Sequence, residues 1–137
     1  MRVGILGSGL MGGKLGTIFA RAGHDVIFSY SRSQSTLDTL ARHAGSRARA
    51  GTPSEAARDA DAVLLAVHWL RVDDVVSQAG DLADKVVVTC SLPMNADNTD
   101  LLVGHRSSGA EELAKKIPRA HVVLAHLNIA SVASNER

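Results

Sequence analysis

Arg2-Val-Gly-Ile-Leu-Gly-Ser-Gly-Leu-Met-Gly-Gly-Lys-Leu-Gly16 carries a short apolar run straight into a glycine-rich turn and then into a segment of helical spacing. The turn reads G-x-G-x-x-G, with Gly7, Gly9 and Gly12 at the fixed places. That spacing is weak alone and informative when a strand precedes it and a helix follows, because each glycine then has a separate task. Gly7 permits the tight turn, Gly9 removes a side chain where a ligand backbone must pass, and Gly12 lets the helix lie close on the strand. The first helical N–H groups would face a phosphate. Gly7, Ser8, Gly9, Leu10, Met11 and Gly12 are therefore candidates for holding the pyrophosphate of a dinucleotide.

Outward from this turn the chain alternates strand and helix. Met11, Leu15, Ile18 and Ala22 keep one helical face, and Gly23 stands where a C-terminal cap belongs. Asp25 to Tyr30 reads as a second strand, and Leu37, Leu40, Ala41 and Ala44 mark a helix ending at Gly45. A short strand is expected over Arg47 to Ala50. Thr52-Pro53-Ser54-Glu55 is a capping box with proline at the first helical position, so a helix begins at Pro53. Ala62 to Val67 and Lys85 to Cys90 are near-continuous apolar runs, as parallel strands buried on both faces require. Val72, Val75, Val76 and Ala79 mark the crossover helix between them, closed by Gly80. Ser91 to Ser107 is polar, contains Pro93 and reads as a long loop beside the cleft. Ser108-x-x-Glu111 opens a last helix that runs to Pro118, and His121 to Ala125 supplies a sixth strand. The expected fold is α/β: a doubly wound parallel six-stranded Rossmann sheet with helices on both faces, ordered 3-2-1-4-5-6, its crevice beyond the strand C-termini.

Composition narrows the class. At 137 residues the chain is expected to be a single domain. Lys and Arg number 15 against 14 Asp and Glu, giving a net charge of +1, and no basic cluster is interleaved with aromatics, so no nucleic-acid partner is expected. The single cysteine, Cys90, cannot form an intrachain disulfide, no apolar run has the length of a membrane span, and the N-terminus enters a strand directly. A cytoplasmic protein without a membrane partner is expected. The six histidines show no H-E-x-x-H spacing, which argues against a metal site. Gly13-Lys14 resembles the end of a nucleoside-triphosphate loop, but Ser8 stands where glycine is needed and Leu15 where a metal-binding hydroxyl is needed.

The choice of nucleotide rests on the end of the second strand, roughly 20 residues past the glycines, where a carboxylate would bond the ribose hydroxyls of NAD. Ser29-Tyr-Ser-Arg-Ser33 offers none. Arg32 instead supplies a planar cationic fork, with Ser31 and Ser33 as neutral donors, and this set suits a 2′-phosphate. NADP(H) is the expected small-molecule partner.

With those residues in view, the chain resembles the NADPH-dependent coenzyme F-420 reductase family (F-420:NADP oxidoreductases). The likeness is carried by Gly7-Ser-Gly-Leu-Met-Gly12, Ser31-Arg32, Ala62-Val-Leu-Leu-Ala-Val67, and Ser108-Gly-Ala-Glu-Glu-Leu-Ala114 leading to Val122-Val123. It implies hydride exchange between NADPH and a deazaflavin, coenzyme F-420, or a flavin-like acceptor, with the nucleotide along the strand C-termini. It also implies that Ala66, Val67 and His68 lie beside the nicotinamide ribose and that Ser91 lies in the following loop. The family's usual Ala-Val-Pro is here Ala66-Val67-His68, its Asn-Pro-Leu is Ser91-Leu92-Pro93, and its Lys-Ala-Phe-Asn is the region from Leu124 to Asn128. The family continues into a segment that completes the deazaflavin pocket and the dimer; residues 1–137 read as the nucleotide domain with that segment absent. A homodimer is the expected assembly.

Hydride transfer between stacked rings needs alignment and no side-chain acid or nucleophile, so no catalytic residue is expected. Carbonyl or imine reduction would need a proton donor, for which His68 and His126 are the candidates, each more readily explained as a hydrogen-bonded cleft histidine. Trp69 could cover the nicotinamide region, though packing against a helix is the commoner role, and Cys90 reads as a small buried hydrophobe. Two other readings stand beside the oxidoreductase: a non-catalytic NADP(H)-binding or sensor module, and the nucleotide domain of a hydroxyacid or imine reductase.

Overall fold

A computed structural model describes residues 1–89 and 109–124. The apolar run at the start becomes β1 (Arg2–Leu6), whose last four residues are all buried. It lies inside the sheet, pairing in parallel with β2 (Asp25–Ser29) on one side and β4 (Ala62–Leu65) on the other. β3 (Ala48–Ala50) flanks β2, and β5 (Val86–Thr89) and β6 (His121–Leu124) follow β4, giving the order β3-β2-β1-β4-β5-β6 with every pair parallel. This is the doubly wound order expected from the alternation of strands and helices.

Successive residues of a strand face opposite sides of the sheet, and the two sides have separate cores. Ile5, Val26, Phe28 and Leu64 pack with α1 (Leu10–Arg21) and α2 (Gln34–Ala44). Leu6, Val63, Leu65 and Val87 pack with α3 (Pro53–Arg58), α4 (Val72–Ala79) and α5 (Gly109–Lys116). Helices on both faces explain why β1 and β4 are apolar without alternation.

Several boundaries shift for local reasons. β2 stops at Ser29 because Tyr30 turns into the left-handed region, with φ +63°. α2 begins before its apolar face does: Ser33 caps it, its hydroxyl accepting the Thr36 N–H at 3.2 Å. β4 ends at Leu65, after which a 3-10 turn over Trp69–Arg71 leads into α4, an element the periodicity did not reveal. The capping box forms as read: Thr52 Oγ1 accepts the Glu55 N–H at 3.1 Å, and Glu55 accepts the Thr52 N–H at 3.3 Å. Cys90, the loop from Ser91 to Ser107, Ser108 of the second capping box, and Ala125 to Asn128 lie outside the described residues.

Candidate dinucleotide-binding cleft

A cleft of ≈ 800 Å³ opens beyond the carboxyl ends of the strands, where β1 and β4 diverge in connectivity. That switch point is where open α/β sheets receive ligands. Gly7, Ser8 and Gly9 contribute from β1, Tyr30, Ser31 and Arg32 from β2, Gly51 to Pro53 from β3, and Ala66, Val67 and His68 from β4. A smaller groove of ≈ 370 Å³ lies at the opposite end of the sheet. Two of its arginines are engaged by neighbours, Arg47 with Asp25 at 3.3 Å and Arg49 with Glu55 at 3.4 Å.

Backbone and serine hydrogen bonds hold the glycine turn against β2. The Gly7 N–H donates to the Ser29 carbonyl at 3.1 Å and the Ser8 N–H to the Tyr30 carbonyl at 3.2 Å. Ser8 Oγ also donates to the Ser29 carbonyl, at 2.8 Å, while Ser29 Oγ donates to the Ile5 carbonyl at 2.7 Å. Ser8 is buried, so its hydroxyl is committed to the turn. Gly7 has φ +111°, and a Cβ there would also meet the Ala66 carbonyl. A Cβ on Gly12 would be driven into the Gly7 carbonyl. Around Gly9 the situation is reversed: a Cβ would meet nothing within 4 Å.

Gly9 also starts α1, in extended conformation, with no side-chain cap and no acidic residue in the first turn. A helix beginning this way presents orphan N–H donors and the positive end of its dipole to whatever occupies the cleft. An anion is the matching occupant, and the bare Cα of Gly9 leaves room for it over the helix end. The residues present thus fit a pyrophosphate.

At the end of β2, Arg32 is exposed, lines the cleft and makes no hydrogen bond or ion pair among the described residues. Ser31 lines the cleft and accepts the Ser33 N–H at 3.4 Å. Ser33 itself is engaged as the α2 cap and is not part of the lining. Leu10, Met11 and Gly12 are likewise off the lining. Leu10 is exposed at the first position of α1, Met11 packs on the α1–α2 core, and Gly12 is buried at the turn. Ser91 lies outside the described residues.

His68 Nδ1 accepts the Leu70 N–H at 3.2 Å and caps the 3-10 turn, which leaves Nε2 to carry the proton of the neutral ring. Trp69 is not part of the lining. It packs on the α3–α4 core, with Lys116 Nζ 5.9 Å from its ring centroid and paired to Asp73 at 2.7 Å.

Three lining residues of the α4 segment escaped the sequence reading: Arg71, Asp74 and Gln78. Their spacing of three and four places them on one helical face, a polar stripe that was the available signal. Tyr30 joins them, its hydroxyl donating to Asp74 at 2.6 Å, and Gln78 Nε2 donates to the same oxygen at 3.1 Å. Burial, with the Asp74 hydrogen bond behind it, raises the Tyr30 pKa above its ordinary value. The Tyr30 hydrogen bond, then that of Gln78, holds the Asp74 pKa below the ordinary value. Among the described residues no cluster of His, Cys, Asp and Glu is placed to hold a metal ion, and no helix is long and apolar enough to cross a membrane.

Sheet order, glycine turn and uncapped helix together define a Rossmann-type dinucleotide-binding domain. A family model described as NADP oxidoreductase, coenzyme F420-dependent, matches residues 2–93. The chain therefore belongs to that family of oxidoreductases. Its fold is shared with a candidate F420-dependent NADP reductase from Arthrobacter sp. FB24, at TM-score 0.83 and 21% identity, over 95% of this chain and 64% of that one. A Sinorhizobium meliloti protein of unassigned function superposes at TM-score 0.82 with 27% identity, over 97% of this chain and 65% of that one. A reductive aminase from Aspergillus terreus, solved with a reduced nicotinamide nucleotide, shares the fold at TM-score 0.65 and 17% identity, over 90% of this chain and 39% of that one. The chain thus spans just under two thirds of the length of the first two.

Proposed function

We propose that the cleft binds NADP(H) and that the protein exchanges a hydride between NADPH and a deazaflavin, coenzyme F-420, or a flavin-like acceptor. The observation that carries the nucleotide half is the combination of an uncapped α1 N-terminus with Arg32 at the end of β2, which makes no hydrogen bond or ion pair among the described residues, both lining one cleft. One offers N–H donors for a pyrophosphate, the other a guanidinium for a 2′-phosphate. Gly7 and Gly9 admit the pyrophosphate, and Ser31 stands beside Arg32 as a neutral donor. Family membership supports the acceptor half. When bound, the nucleotide supplies the hydride, leaving as NADP⁺, while the acceptor ring takes the hydride and a proton from solvent. The chain's own residues bind and orient; His68, its Nδ1 turned to the Leu70 N–H, borders the cleft without having to act as an acid. The proposed assembly is a homodimer, as the family resemblance implies, and sedimentation at micromolar concentration tests it.

Purified protein mixed anaerobically with NADPH and the deazaflavin tests the reaction. Coupled loss of nicotinamide fluorescence and of the deazaflavin's visible absorbance is the expected result. Quenching and shifting of NADPH fluorescence without turnover of deazaflavin or flavin would defeat the enzymatic half for this chain and favour a nucleotide-binding module.

A further inference from the structure

Tyr30 combines a strained backbone with two hydrogen bonds that reach other elements. Its backbone sits in the left-handed region, φ +63°, which a bulky aromatic residue adopts only when its surroundings compel it. Its carbonyl accepts the Ser8 N–H of the glycine turn at 3.2 Å, and its hydroxyl donates to Asp74 on α4 at 2.6 Å. Gln78 holds that carboxylate from one turn further along the helix. The ring is half-buried against the α3–α4 core, so the side chain is a strut between β2 and α4. Ser31 and Arg32 follow directly, and the left-handed turn is what sends them over the cleft.

We propose that the Tyr30–Asp74 contact is a positioning device for nucleotide discrimination, holding the strained turn that presents Arg32 to the 2′-phosphate. The proposal rests on the NADP(H) reading and deepens it. Without the contact, the backbone at residue 30 relaxes toward the extended region that continues β2, and Arg32 leaves its place for much of the time. NADPH then has to restore the turn on binding, and its apparent affinity falls by the fraction of molecules that hold it. NADH, which has no 2′-phosphate to place, loses little. Electrostatics alone gives the opposite sign: Asp74 is a negative charge lining a cleft for a polyanion, so removing it would tighten NADPH.

The experiment is titration of NADPH and NADH, by fluorescence or calorimetry, into the unsubstituted chain and into Tyr30→Phe, Asp74→Ala and Asp74→Asn, with thermal melting of each. Tyr30→Phe keeps the ring and every charge and removes one hydroxyl. Loss of a hydrogen bond to a charged partner corresponds to about tenfold in affinity. Tyr30→Phe and Asp74→Ala are each expected to weaken NADPH about tenfold and NADH less than about twofold, while Asp74→Asn, which retains an acceptor oxygen, recovers most of the discrimination. Equal effects on both nucleotides, no effect, or tighter NADPH binding by Asp74→Ala would overturn the proposal while the NADP(H) reading stands. Failure of the unsubstituted chain to bind either nucleotide would overturn both.

Discussion

Gly9→Ala separates a glycine kept for a ligand from one kept for the fold. Gly9 has φ −82°, which alanine adopts freely, and a Cβ there would meet nothing within 4 Å. The free protein should therefore keep its stability to within about 1 kcal/mol, and the lower entropy of an alanine-containing unfolded chain can raise it by about 0.4–1 kcal/mol. In a chain of this size that is a shift of only a few degrees in Tm, on the order of 2–4 °C per kcal/mol. The same methyl would stand over the α1 N-terminus, the proposed seat of the pyrophosphate, and would push it from the helix N–H donors. Losing one such charge-assisted contact costs about 1.5–3 kcal/mol, or roughly ten- to a hundredfold in affinity. Gly12→Ala is the contrast: its Cβ is driven into the Gly7 carbonyl, so it should destabilise by about 1–3 kcal/mol or more before any ligand is added. Thermal melts and NADPH titrations of both variants are the assay. A Gly9→Ala protein that melts normally and binds NADPH like the parent would refute the placement of the pyrophosphate.

Arg32→Ala should weaken NADPH by roughly tenfold or more and leave NADH nearly unchanged, since Arg32 is exposed and makes no hydrogen bond or ion pair among the described residues; equal loss for both nucleotides would defeat the 2′-phosphate assignment. Thr52→Ala removes the α3 cap and should cost about 1 kcal/mol in denaturant melts, with little change in m-value. Glu55, Asp61 and Asp74 all have lowered pKa values, through hydrogen bonds from Thr52, the Arg2 N–H and Tyr30 respectively. Their folded values lie below the unfolded ones, so their stabilisation is complete above the ordinary carboxylate pKa of about 4 and is lost as pH falls through the folded values. Tm should be level near neutrality and fall below about pH 4, and Asp61→Asn, which cannot titrate, should make that fall shallower.

The parts of the molecule that were readable from sequence are those set by local rules. Strand order followed from uninterrupted apolar runs separated by helical segments, and the start of α3 from Thr52-Pro53-Ser54-Glu55, whose reciprocal hydrogen bonds are all within four residues. Gly7, Gly9 and Arg32 were readable because a turn and a strand end fix their location without reference to anything distant. What escaped depends on contacts across the fold. Tyr30 looked like the last residue of a strand; it turns into the left-handed region instead, and its hydroxyl donates to Asp74, 44 positions away. Ser33 has the chemistry of a phosphate ligand, and its use as the α2 cap depends on a helix start that no apolar residue marks. The 3-10 turn over Trp69–Arg71 is too short to show a period, so the helical face that brings Arg71, Asp74 and Gln78 to the cleft could not be oriented toward it in advance.

The proposed occupant of the cleft is a 2′-phosphorylated nicotinamide nucleotide. Parallel titrations of NADPH and NADH into the unsubstituted protein at one ionic strength decide whether it is. The Arg32 guanidinium meeting a 2′-phosphate should make NADPH bind at least about tenfold tighter, a margin that narrows as salt is raised. Equal affinities, or tighter binding of NADH, would contradict it.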